Sequence, residues 1–201
     1  MEMEKVLVTG FGPFGDHKIN ASWEAVKLLP NINKNSVELI VEEIPVSYKD
    51  VDEKIKILWE TYKPTLVIHV GVSSFTDKIT METRANRSGY CRRDCLGEIH
   101  PSGNCCAINE GFETIHCGIG AKEICKELNE HFNKIIAQTS DDAGRYLCEY
   151  IFYKSLYIDC NKTMFVHVPP LNKPFSAEEL AESLMQIIKT ALKQLTCKCN
   201  N

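Results

Sequence analysis

Short apolar runs alternate with stretches of helical spacing along most of this chain. Val6-Leu7-Val8-Thr9 is an apolar run of strand length. Ala21 to Leu29 follows as a helix, with Asn20 or Ser22 available to cap it. Val37 to Val41 and Ile44 to Val46 read as strand pieces. Between Tyr48 and Tyr62, Val51, Ile55, Leu58 and Trp59 fall at helical spacing. Leu66-Val67-Ile68-His69-Val70 is a strand rich in β-branched residues that ends at Gly71. Ile79-Thr80-Met81-Glu82-Thr83 alternates, with Glu82 opposite in sense to Met81 and Thr83. A helix near Ala121 to Phe132, a strand near Lys134 to Gln138, a helix carrying Cys148 and a strand at Met164 to Val168 come next. Ala177 to Leu195 is amphipathic, with Leu180, Leu184, Ile187, Ile188 and Leu192 on one face. This order predicts an α/β fold: an open, mostly parallel sheet with helices on both faces, and ligands beyond the carboxyl ends of the strands.

Two segments break the pattern. Residues 85–118 hold Gly89, Gly97, Pro101, Gly103 and Gly111, five cysteines and no clear period. A loop of that length is a candidate lid. Residues 196–201 read as a frayed tail. No internal repeat or low-complexity tract is present, and the 201 residues are expected to form one domain with its own core.

Composition narrows the function classes. Apolar residues make up 44% of the chain and charged ones 25%, and the net charge of −4 is spread without a basic stripe. Nucleic acid is therefore not the expected partner. Met1-Glu2-Met3-Glu4-Lys5 is short and charged and runs into a strand, not into a signal-peptide core. No run reaches membrane-spanning length. The expectation is a cytoplasmic protein without membrane contact, in which the ten cysteines are reduced thiols rather than five disulfides.

Gly10-Phe11-Gly12-Pro13-Phe14-Gly15 spells the dinucleotide fingerprint after a strand. Its context is wrong: Asp16-His17-Lys18-Ile19 separates Gly15 from the helix, and two phenyl rings occupy positions where a pyrophosphate needs bare backbone. The segment reads instead as a turn that presents Phe11 and Phe14 at the sheet edge, against a small, flat, apolar ligand or simply into the core.

Ser140-Asp141-Asp142-Ala143-Gly144-Arg145-Tyr146-Leu147-Cys148 holds the candidate nucleophile. Ser140, Asp141 and Asp142 are available to cap the following helix, which places Cys148 in its first two turns. Helix N-terminal amides favour a thiolate there. In Phe165-Val166-His167-Val168-Pro169-Pro170, His167 ends a strand and is a candidate base. His69 occupies a similar strand end and competes with it. Glu82 can orient an imidazole, or be a solvated surface acid. Cys91, Cys95, His100, Cys105 and Cys106 are a weak zinc candidate, since the second cysteine pair consists of adjacent residues. No arginine follows Cys148 closely, which excludes a cysteine phosphatase.

Together these stretches resemble the pyroglutamyl-peptidase I family, cytosolic cysteine peptidases that remove N-terminal pyroglutamate. Thr9 to Gly15 with Asn20-Ala21-Ser22, Val70-Gly71-Val72, Asp142 to Cys148 and Phe165 to Pro170 carry the resemblance in order and spacing. It implies a three-layer α/β/α sandwich, a Glu82–Cys148–His167 triad, and a lactam pocket lined by Phe11, Phe14 and, through backbone atoms, Val72. It also implies pyroglutamyl peptides as substrates, no metal and no nucleotide cofactor; the chain itself is expected to be a monomer or weak homo-oligomer. Thr83-Arg84-Ala85-Asn86, after Glu82, departs from the family's pattern. The alternative is a non-hydrolytic redox-sensing thiol protein of the same fold.

Overall fold

The central element is a six-stranded sheet, and the candidate site lies at the edge where four of its strands end. The structure is a computed structural model that describes residues 3–15, 18–33, 37–100, 103, 105–132 and 134–199, without the side chains of 198 and 199. Met1, Glu2, Asp16, His17 and Pro101, named above, and the last two residues of the expected tail lie outside the described residues. In chain order the elements are β1 (Lys5–Phe11), α1 (Ala21–Val26), α2 (Leu29–Ile32), β2 (Glu38–Ile44), α3 (Tyr48–Tyr62), β3 (Leu66–Val72) and β4 (Ile79–Glu82). There follow β5 (Arg84–Asn86), β6 (Thr114–His116), α4 (Ala121–His131), β7 (Ala137–Ser140), α5 (Leu147–Asp159), β8 (Thr163–Val168) and α6 (Ala177–Cys199).

The sheet order is β2-β1-β3-β8-β4-β7. β2, β1, β3 and β8 run parallel, β4 is antiparallel to β8, and β7 is parallel to β4. Alternation within each central strand divides the core in two. Val6, Val8, Leu66, Ile68, Met164 and Val166 face a cluster shared with α1, α2, α4 and α6. Leu7, Val67 and Phe165 face a second cluster with α3 and α5. The result is the three-layer α/β/α arrangement. No helix among the described residues is long and apolar enough to cross a membrane.

Several boundaries differ from those expected. The first helix stops at Val26, because Pro30 cannot donate to a continuing helix, and the short α2 starts anew around it. β2 is one strand through Glu42 and Glu43, an edge position where one side stays in reach of water. β7 begins at Ala137, three residues later than expected. Ile135 is spent on the core, and the Asn129 side chain pairs with both the N–H and the C=O of Ala137.

As far as Cys199 the tail is helical rather than frayed: α6 runs to that residue, with Leu195 packed on the core and Thr196 Oγ1 donating to Leu192 O. Residues 85–118 are also more ordered than a structureless loop. They contain the β5–β6 pair, a Ser88–Cys106 bridge, and the fully buried Tyr90, whose hydroxyl donates to Asn86 O.

Candidate active site

Cys148 is the second residue of α5. The helix starts later than the sequence suggests, with Tyr146 at the N-cap and no side-chain cap. Ser140, Asp141 and Asp142 do not cap it. The Ser140 hydroxyl accepts from Asp142 N–H, and Asp142 Oδ1 accepts from Gly144 N–H and pairs with Arg145, so these groups are spent shaping the preceding turn. The amides of the first turn of α5 are thus left without a side-chain acceptor, at the end of the helix where the macrodipole is positive.

The sulfur of Cys148 rests on β3. A β-carbon added to Gly71 would lie 2.7 Å from Cys148 Sγ and 2.8 Å from Phe165 Cζ. From β8, the His167 ring approaches Cys148, whose sulfur favours the protonated form of the ring. Its Nδ1 lies 2.8 Å from Glu82 Oε1 on β4. The sheet register explains that pairing. Thr80 lies opposite His167, and Glu82, two residues on, projects from the same face. Glu82 is 2% exposed, and its Oε2 has no hydrogen-bond partner among the described residues.

Burial by itself lowers the affinity of the His167 ring for a proton. The hydrogen bonds to Cys148 and Glu82 and their negative charge outweigh it, and the pKa is raised to about 9. His69 behaves oppositely. It is fully buried, with Nδ1 2.7 Å from Thr9 Oγ1 and Nε2 2.7 Å from Ser155 Oγ. Burial pushes its pKa down to about 3, so it is a neutral core histidine held between Thr9 and Ser155.

Cys148, His167 and Glu82 open into a cleft of about 760 Å³. Phe11, Phe14, Val46, Val72 and Leu147 supply its apolar wall. Phe11 is held by its N–H donating to Ser22 Oγ, and Asn20 donates to Gly12 O, so the sequence fingerprint is a braced turn. Gly10 has a packing role: a β-carbon there would lie 2.8 Å from Trp23 Cα, where α1 crosses β1. Arg92, Asp94 and Cys95, from the 85–118 segment, line the opposite side. Arg92 stacks 4.6 Å above the Tyr146 ring. These three residues are not identifiable from the sequence, since their segment has no period to place them.

Within the cysteine cluster of that segment one pair is structural, while Cys95 and Cys106 are reduced thiols. Cys91 and Cys105 form a disulfide, their Cα atoms 5.0 Å apart where Gly89 and Tyr90 N–H groups donate to Cys105 O. This corrects the expectation that all the cysteines are reduced thiols: a folded hairpin holds this pair in contact. His100 Nε2 lies 2.6 Å from the Tyr150 hydroxyl, which donates to Asp52. Among the described residues no group of three or more His, Cys, Asp or Glu side chains is gathered as a metal site.

The Pyroglutamyl peptidase family model matches residues 4–196, almost the whole chain. The chain belongs to the pyroglutamyl peptidase family. Pyroglutamyl-peptidase 1 of Homo sapiens is 42% identical over 191 residues, covering 94% of this chain and 90% of that protein. The pyrrolidone-carboxylate peptidase of Thermococcus onnurineus is 34% identical, covering 94% and 99%. Among solved structures, a mutant pyrrolidone carboxyl peptidase from Pyrococcus furiosus superposes with a TM-score of 0.86 at 28% identity, covering 95% of this chain and 99% of that one. Pyroglutamyl peptidase I of Bacillus amyloliquefaciens gives 0.83 at 26% identity, covering 94% and 96%. The family's α/β architecture is the one described above.

Proposed function

We propose that this protein is a cysteine peptidase that hydrolyses the bond after an N-terminal pyroglutamyl residue, with Cys148 as nucleophile, His167 as base and acid, and Glu82 as orienter. One observation carries the reading: Cys148 and the His167 ring, its Nδ1 held 2.8 Å from Glu82 Oε1, open together into an aromatic-walled cleft.

Glu82 engages Nδ1 and leaves Nε2 for the sulfur. One proton is held between ring and sulfur, and Glu82 offsets the charge of the imidazolium. The thiolate attacks the carbonyl linking pyroglutamate to the next residue. As the tetrahedral oxyanion forms, the free N–H of Cys148 at the start of α5 points toward the developing charge. His167 then protonates the departing amine. Water, deprotonated by the same ring, releases pyroglutamate from the thioester.

Phe11, Phe14 and Val72 form the slot for the lactam. The ring is flat and carries no charge, so it enters without the desolvation penalty of an ammonium group, several kcal/mol when unpaired. A free N-terminus is thereby disfavoured.

The test is release of fluorophore from a pyroglutamyl fluorogenic amide, with and without iodoacetamide, with the alkylated residue located by mass spectrometry. Turnover that is lost in step with Cys148 alkylation supports the reading. Turnover that survives complete Cys148 alkylation refutes the mechanism. No cleavage of any pyroglutamyl substrate, together with a peroxide-induced disulfide at Cys148, would favour the redox-thiol alternative.

A further inference from the structure

A second hollow, of about 900 Å³, continues from the cleft along the same sheet edge. The two share Ser74, Phe75, Thr76 and Gln138 as a common lip. Beyond the lip the second hollow is walled by Ile19 and by the Pro170–Lys173 turn that follows β8. The Phe75 ring stands at this lip fully exposed, and Ile19 is 63% exposed. A phenyl ring left in water costs stability, and here it faces a concave surface with apolar side chains on its far wall.

Sheet order gives this hollow a direction. Phe11 and Phe14 lie over the end of β1, Cys148 rests on β3, and His167 ends β8. β4 and β7, with Gln138, come next. If pyroglutamate sits over β1 and His167 protonates the amine, the amine side of the scissile bond must point past β8, toward β4 and β7. The second hollow lies in that direction. Its charged groups, Asp77, Lys78 and Lys173, are of both signs and set no charge requirement. The recognising feature is therefore the exposed ring.

Resting on the peptidase reading above, we propose that this hollow is the subsite for the residue that follows pyroglutamate, and that Phe75 selects an apolar or aromatic side chain there. The backbone beyond that residue runs along the polar lip formed by Ser74 and Gln138.

The experiment compares kcat/KM for pyroglutamyl-phenylalanine amide and pyroglutamyl-glycine amide in the wild type and in Phe75→Ala. The exposed side chain makes no buried contact, so the variant folds. The wild type should favour the phenylalanine substrate by about tenfold, the scale of one apolar side chain partly buried. Phe75→Ala should shrink that ratio to about twofold, with the loss falling on the phenylalanine substrate and mainly in KM. A wild type with no preference, or a preference unchanged in Phe75→Ala, overturns the subsite while leaving the peptidase reading intact. A wild type that cleaves neither substrate overturns both.

Discussion

Gly71 and Cys148 meet so closely that a single added methyl group would collide with the sulfur: an alanine β-carbon at position 71 would lie 2.7 Å from Sγ. The bare backbone of β3 is what lets the first turn of α5 settle onto the sheet. Gly71→Ala must displace either the sulfur or the Phe165 ring, which it would approach to 2.8 Å. The expected outcome is a fall in kcat of about tenfold to a hundredfold with a smaller change in KM, since sub-ångström misplacement of a nucleophile is costly. Steady-state kinetics on a pyroglutamyl amide, with a thermal melt alongside, checks it.

On the proposed mechanism, the His167 ring should set the alkaline limb of activity. With its pKa raised to about 9, it is protonated at neutral pH and able to supply the proton the leaving amine needs. Activity should hold across neutral pH and fall as pH rises through about 9. Glu82→Gln removes one of the causes that raise the pKa. That variant should shift the limb to lower pH and reduce kcat by about a hundredfold or more. A limb that stays in place would mean that Glu82 does not act on the ring.

The two buried histidines pull stability in opposite directions with pH. His69 stays neutral when folded, with its pKa at about 3 against an ordinary 6.5, whereas the unfolded chain takes up a proton there. Its contribution is complete above pH 6.5 and erodes as pH falls toward 3, by up to about 1.4 kcal/mol per pH unit. His167 has a raised folded pKa, so its contribution is complete below 6.5 and is lost as pH rises through about 9. The urea midpoint should therefore peak near pH 6.5.

His69→Ala should remove most of the acid slope and cost about 2–4 kcal/mol through a cavity and two stranded hydroxyl partners. Its kcat/KM per folded molecule should stay within about threefold of the wild type, as expected of a core residue. A large loss of turnover in folded protein would instead reinstate His69 as a base.

Glu149 ties the start of α5 to β5. It is fully buried, accepting from Asn86 N–H and Nδ2 at Oε1 and pairing with Arg145 at 2.8 Å through Oε2. Glu149→Ala strands the half-buried Asn86 N–H and frees Arg145. Allowing for the partly exposed Arg145, the loss should be about 1–3 kcal/mol, with a drop in kcat, because Cys148 is the adjacent residue. Denaturant melts and kinetics at saturating substrate check the two effects separately.

The parts of the site that follow a strand or helix period are legible in the chain. His167 lies at the end of an apolar strand, Glu82 sits in an alternating run, and Phe11 and Phe14 belong to a glycine-rich turn after a strand. The start of α5 is not, because Ser140, Asp141 and Asp142 offer capping groups that the turn uses for itself, while Tyr146 begins the helix without a cap. His69 and His167 look alike on sequence, since both lie late in apolar strands. Only the neighbours across the sheet, Thr9 and Ser155 for one and Glu82 and Cys148 for the other, separate them. Arg92 and Cys95 lie in a segment positioned by a disulfide and the Tyr90 and His100 contacts, all of them long-range and invisible to periodicity.

β4 enters the sheet against the direction of β8, and that reversal puts Glu82 beside His167, 85 positions away in sequence. A slip of one residue between these strands would turn the carboxylate to the opposite face and leave the imidazole without its anchor. Turnover thus doubles as a gauge of strand alignment. A refolding chain would become competent only once its middle and its C-terminal third had zipped together correctly, and recovery of activity would time that closure.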